Sequence, residues 1–425
     1  MRRIIQLAAL VFGSIVFTLG VCEIAVRIGG VDPNTNRKMR FDPTLGWTLD
    51  PKWEAIDHIR PDGFRYTQPT GPDGESRRLI ILGDSFAVGG QLPFQETFAG
   101  LLTTWLGDDA EANDRVADDG WEVVNLAVSG WGTGQQLIAL RERGLEPRPD
   151  AVVLVVFPFN DLCNNNIEQA FTCSILDFHR PYFVLEQGNL KETSLYPARA
   201  RLRRHWRLFA LAEVGLRWGF PAPRETRDMK REERSRLRRE VLNQRTRRVG
   251  LEFDSNLHSL LPEPDQPQVI RAGWKTTKRL MAEMKNDLDE LGVPLISVVV
   301  PYADTFIADW VEGHKRMGRP LLADHATATI ESILGDLEVP AISVRQRVSA
   351  SGMNPQVFFH PRENVSDRHF NRFGHWSVAT WILEELRGIG LTGRSAPTSH
   401  PPSNHSRPPS NHSRPPNQSS VNSTH

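Results

Sequence analysis

Cysteine is scarce, with three residues in a chain of 425. That excludes a disulfide framework of the kind that staples small secreted domains. Cys22 lies within an apolar run. Cys163 and Cys173 then remain, ten apart in DLCNNNIEQAFTC, as either one disulfide or two small buried hydrophobes. An excess of either charge sign is missing too, since 51 Lys and Arg face 51 Asp and Glu, so nothing steers the chain toward nucleic acid. Histidines in metal-ligand spacing are lacking: the His-Ser-Arg triplets near the end sit seven apart among prolines. Neither a metal nor another cofactor is expected.

What the chain does have begins with MRRIIQLAALVFGSIVFTLGVCEIAVR. Ile4 to Cys22 is apolar enough and long enough to cross a hydrocarbon core, and Arg2 and Arg3 before it should stay on the cytoplasmic side. Residues 1–27 are therefore expected to form a membrane anchor, or a cleaved signal segment that would leave the protein secreted. The remainder should face the periplasm or the cell exterior.

Residues 28–77 carry Pro, Gly, Asp and Trp without a period and read as a lead-in wrapping the core, with FDPTLGWTLDP and DGFRY packing by their aromatics. One large domain is expected over 78–392, interrupted by an Arg-rich insertion at about 197–250. From Arg224 to Arg248 that insertion holds 11 basic and 5 acidic residues, a pattern suited to a solvated helix, to a membrane surface or to a lid over an anionic polymer. Residues 393–425 repeat PPSNHSR and cannot build a core, so a disordered tail is expected there.

Between these ends, apolar runs alternate with amphipathic stretches. Strands are expected at 78–83, 121–127, 151–157, 295–300 and 341–344, and helices at 94–106, 133–143, 274–291, 322–335 and 371–388. AVVLVVF and LISVVV are apolar throughout, as strands covered on both faces are. This order implies an α/β class fold, a parallel sheet with helices on both faces, whose ligand crevice lies beyond the carboxyl ends of the strands.

Polar residues gather after those ends. RLIILGDSF places Ser85 where the first strand stops, NLAVSGWG places Gly130 after the second, and FPFNDL places Asn160 and Asp161 after the third. SDRHFNRFGHW adds Asp367, His369 and His375 before the last helix. Acyl transfer by a serine needs a hydroxyl, a base, a group that orients the base, and donors for the oxyanion. Ser85 supplies the hydroxyl, His369 the base and Asp367 the orienting carboxylate, with Glu363 in reserve. The backbone N–H groups of Ser85 and Gly130 and the side-chain amide of Asn160 supply the donors. Asp84 and Asp161 read as turn-fixing carboxylates, and His375 as a packed or capping histidine.

GDSF at 83–86, the Gly130 stretch, Asn160-Asp161 and Asp367-x-His369 together resemble the SGNH (GDSL-type) hydrolases over roughly residues 78–388. The late D-x-H-x-N-x-x-G-H pattern is similar to that of membrane-anchored bacterial members. The spacing departs from many members, which place Asp three residues before His rather than two. The resemblance implies a three-layer α/β/α flavodoxin-like fold and metal-free hydrolysis or transfer of esters, commonly acetyl esters of carbohydrates. An ester hydrolase acting on an acylated carbohydrate or envelope substrate is thus expected. Two other readings stand beside it: an acyltransferase that passes the acyl group to a polysaccharide hydroxyl, and a non-catalytic polysaccharide-binding protein.

Overall fold

The continuous apolar runs fold into one parallel sheet. The computed structural model describes residues 2–28, 38–67, 76–107, 120–169, 180–194, 202, 206–209, 212, 255–361, 369–393 and 396. The chain starts with helix α1 (Arg2–Ile28), whose stretch Ala9–Ile28 is long and apolar enough to cross a membrane by length and composition. A hairpin of β1 (Met39–Asp42) and β2 (Gly46–Leu49) follows. Then come β3 (Arg77–Leu82), the single-turn helix α2 (Ser85–Val88), α3 (Phe98–Gly107), β4 (Trp121–Asn125) and α4 (Thr133–Ala139). Next are β5 (Ala151–Val156), α5 (Pro158–Asn165) and a second hairpin, β6 (Tyr182–Glu186) with β7 (Asn189–Thr193). After it stand α6 (Gln268–Glu290), β8 (Leu295–Val299), α7 (Ala308–Arg316) and α8 (His325–Asp336). The last elements are β9 (Ala341–Ser343), α9 (Val344–Ala350) and α10 (Arg372–Gly388).

The main sheet runs β4-β3-β5-β8-β9, and every neighbouring pair is parallel. All six residues of β5 are buried, as a central strand covered from both sides requires. Helices α3 and α10 pack together, and α6 packs on α4 and α5, giving the layered α/β/α arrangement. From β3 the chain first moves outward to β4 and then returns past β3 to β5. The crevice at which an open parallel sheet receives its ligand therefore lies at the carboxyl end of β3, where Ser85 stands.

Several boundaries differ from the sequence expectation. The expected helix at 94–106 is a 3-10 turn (Phe94–Glu96) followed by α3. α6 begins six residues earlier than 274, because Pro267 occupies its N-cap and Val269, Ile270 and Gly273 already face the core. The expected tail and nearly all of the Arg-rich insertion lie outside the described residues. So does Cys173; Cys163 takes part in a disulfide, and Cys22 is free and exposed.

Candidate active site

Ser85 is the first residue of α2, directly after the turn that ends β3. A single helical turn cannot hold itself, since nucleation costs more than one hydrogen bond returns. The buried carboxylate of Asp84 closes its start: Oδ1 accepts from the Phe86 amide at 2.9 Å. The Gly89 amide closes its end on the Ser85 carbonyl at 3.1 Å. With the turn fixed, Ser85 Oγ stands 2.7 Å from His369 Nε2. The Ser85 amide itself meets no acceptor among the described residues.

His369 is 6% exposed and is placed by its neighbours rather than by a regular element. Phe370 bridges to Phe359, and the His360 amide donates to the His369 carbonyl at 2.8 Å. Its imidazole stacks on Phe86, centroids 4.6 Å apart, so the residue after Ser85 also sets the plane of the His369 ring. The rest of the D-x-H-x-N-x-x-G-H pattern is architectural. Asn371 caps α10 through Oδ1, which accepts from Gly374 N at 3.0 Å, while its amide donates to Val357 O and Phe359 O. Gly374 has no room for a Cβ, which would lie 2.1 Å from Phe358 O. His375 is wholly buried, its Nδ1 accepts from the Phe98 amide at 3.2 Å, and burial pushes its pKa down to about 3. It is the packed histidine that its helical context suggests.

The third group stands at the start of α5. Asn160 Nδ2 donates to Asp84 Oδ2 at 3.0 Å, and Asn160 Oδ1 accepts from Asn164 Nδ2 at 2.7 Å. Those two bonds fix which end of the amide is which and leave its second N–H available. Asn164 Nδ2 also donates to Gly130 O at 3.2 Å, joining the Asn160 and Gly130 turns. Gly130 has φ +80°, a left-handed conformation that favours glycine, while a Cβ there would meet nothing closer than Trp47 at 3.8 Å. The residue is therefore required by backbone conformation rather than by crowding. Its amide, like that of Ser85, has no acceptor among the described residues.

Asp161 and Asp84 form a buried acidic pair behind these donors. Burial, then the charge of Asp84, holds the Asp161 carboxyl well above the usual carboxylate range. Asp161 Oδ2 accepts from the Phe157 amide at 2.8 Å, whereas Asp84 accepts from both Phe86 N and Asn160 Nδ2.

Ser85, His369 and Asn160 thus converge through Asp84, and Gly130 joins them through Asn164. Asp367 and its reserve Glu363 lie outside the described residues. Sequence reasoning missed Asn164, Arg180 and Trp47. Asn164 sits four residues after Asn160 on a helix starting at Pro158, a spacing that puts both on one face and was available as a signal. Among the described residues no group of His, Cys, Asp and Glu is arranged to hold a metal ion.

Neither a protein-family model nor a curated protein matches the chain. Among solved structures, TesA is 11% identical, covering 74% of this chain and 99% of its own, with a TM-score of 0.35. The psychrotrophic esterase EstA from Pseudoalteromonas sp., in a structure inhibited by monoethylphosphonate, is 11% identical over 74% of this chain and 98% of its own, with a TM-score of 0.33. The lipase/acylhydrolase from Enterococcus faecalis is 14% identical over 74% and 96%, with a TM-score of 0.28. At such values these are likenesses only, and the functional reading stands on the geometry of the site.

Proposed function

We propose that this chain is a serine-dependent ester hydrolase of the SGNH type, held at a membrane by α1 with its catalytic domain on the periplasmic or extracellular side. Its substrate in this reading is an acylated carbohydrate or another ester of the cell envelope. The observation that carries the reading is the 2.7 Å contact between Ser85 Oγ and His369 Nε2 at the switch point of the sheet. A serine in an ordinary turn has no need of a buried imidazole in hydrogen-bond contact.

In the reaction, Ser85 Oγ attacks the acyl carbonyl while His369 Nε2 takes the hydroxyl proton. Asp367 holds the imidazole in the tautomer that leaves Nε2 free to accept and stabilises the imidazolium. The carbonyl oxygen, now negative, is met by the amides of Ser85 and Gly130 and by the second N–H of Asn160. His369 returns the proton to the leaving alcohol, which departs from the acyl-serine. A water then repeats the sequence, giving its proton to His369 and its oxygen to the acyl carbon, and Ser85 is regenerated. Every donor assigned to the oxyanion is fixed before substrate arrives, so no reorganisation falls on the chemical step.

The test is labelling of the detergent-solubilised full chain with a fluorophosphonate probe, beside Ser85→Ala, His369→Ala and Asp367→Ala. Labelling of the wild type, abolished in the first two and slowed in the third, is the expected result. A folded wild type that takes up no label would overturn the reading.

A further inference from the structure

The amide of Gly130 is useful to an oxyanion only if its peptide plane keeps one orientation. A glycine at φ +80° has little intrinsic reason to do so. Both carbonyls flanking that amide are nevertheless held by side chains. Ser129 O, in the same peptide as the Gly130 N–H, accepts from the Trp47 indole Nε1 at 3.2 Å. Gly130 O accepts from Arg180 Nη2 at 2.8 Å, besides Asn164. The two side chains also hold each other, because the Arg180 guanidinium lies over the Trp47 ring at 4.9 Å.

The assembly is locked from behind. Arg180 Nη1 donates to Gln135 Oε1 at 2.9 Å, and Gln135 Nε2 donates to Leu45 O at 2.6 Å. The Trp131 indole donates to Trp47 O at 3.0 Å. Trp47, Gln135 and Arg180 are all buried, and Arg180 is 2% exposed. A guanidinium so placed loses its hydration, a cost that a merely space-filling role does not call for.

From this geometry we infer that Trp47 and Arg180 are positioning residues for the oxyanion site, holding the 129–130 peptide so that its N–H faces the acyl oxygen. The inference rests on the ester-hydrolase reading above. A flip of that peptide would swing the N–H away and break the Trp47 bond in the same motion. A donor on Ser129 O also polarises the N–H of the same peptide, strengthening it as the negative charge develops. The hairpin that carries Trp47 therefore belongs to the site's support rather than to the core's wrapping alone.

The experiment uses the full chain in detergent with p-nitrophenyl acetate turnover, fluorophosphonate labelling rate and thermal unfolding read in parallel. Trp47→Phe keeps an aromatic ring for Arg180 while removing the indole N–H together with part of the ring; Arg180→Lys keeps the charge and loses the fork. Each is expected to lower kcat and the labelling rate by about 10-fold with KM unchanged, a fraction of what losing an oxyanion donor outright costs. The double variant is expected to lose less than the product of the two, because both act on one peptide turn. Wild-type rates in Trp47→Phe, whether or not its unfolding temperature falls, would overturn the inference. A raised KM at constant kcat would overturn it as well, by making Trp47 a substrate contact. A wild type that is folded but neither labels nor turns over is a different failure, that of the hydrolase reading itself. Should Arg180→Lys not fold, Trp47→Phe alone decides the question.

Discussion

His375 offers a test in which the size of the effect follows from the structure. The side chain is 1% exposed, its Nδ1 is committed to the Phe98 amide, and its pKa is pushed down to about 3. In the unfolded chain the same imidazole has an ordinary value of about 6.5. The folded value is depressed, so between about pH 6.5 and pH 3 the unfolded state binds the extra proton and stability is lost as pH falls. Linkage over pH 6 to pH 4 gives a loss of about 2.5 kcal/mol from this one residue. The perturbation is His375→Gln, whose side-chain carbonyl can still accept from Phe98 N but has no proton to bind. Urea denaturation of wild type and variant at pH 6, 5 and 4 should show two lines that converge on acidification, by about that amount, whatever the variant costs at neutral pH. Parallel lines would refute the argument, and with it the claim that His375 is neutral and structural in the fold.

Other perturbations separate the site's parts. Asn160→Ala removes the proposed oxyanion donor and one of the donors to Asp84 Oδ2, so turnover and Ser85 labelling should fall by about 10²–10³-fold while the protein stays folded; undiminished labelling would remove Asn160 from the site. Gly374→Ala drives a Cβ to 2.1 Å from a backbone oxygen that cannot rotate away, and should cost about 3 kcal/mol in urea denaturation; a cost below 1 kcal/mol would show that the Phe358 segment yields easily. Asp161 has the opposite pH sign to His375. Its folded value is raised by burial and by Asp84, so the native state holds its proton to higher pH and loses that stability as pH rises from about 4 through the raised value. Asp161→Asn should abolish the decline and still accept from Phe157 N, and a variant whose stability tracks the wild type across that window would reject the account.

What the sequence discloses depends on how local the cause is. β3, β5 and β8 are legible because a strand buried on both faces has no choice but to be apolar throughout, and the polar residues just past their ends follow from the direction of the sheet. Ser85 and His369 fall within such turns and meet at 2.7 Å although 284 positions separate them. The hairpin β6–β7 is hidden for a local reason: its turn residues, Gln187 at φ 53° and Gly188 at φ 84°, both take left-handed conformations. Glutamine is not among the residues that usually signal such a turn. Trp47 and Arg65 are hidden for a non-local one. Their stretch has no period, and their partners at Ser129 and Val88 lie 82 and 23 residues away, so nothing in the neighbouring sequence betrays them.

Arg65 shows why such a segment is present at all. Its side chain is fully buried, and each guanidinium N–H has an acceptor. Nε donates to Asp57 O, Nη1 to Val88 O and Gly89 O, and Nη2 to Leu92 O and Asp57 Oδ1. Val88 and Gly89 end the one-turn helix that begins with Ser85. The C-terminal carbonyls of a helix are its electronegative, unsatisfied end, and a buried cation there completes what a single turn cannot provide for itself. Asp84 at one end and Arg65 at the other thus replace the length that α2 lacks. Through Trp47 the same lead-in reaches the Gly130 turn. Both the Ser85 turn and the Gly130 turn are consequently braced by one stretch of chain, residues 45–65, that lies outside the four turns from which the proposed site is made.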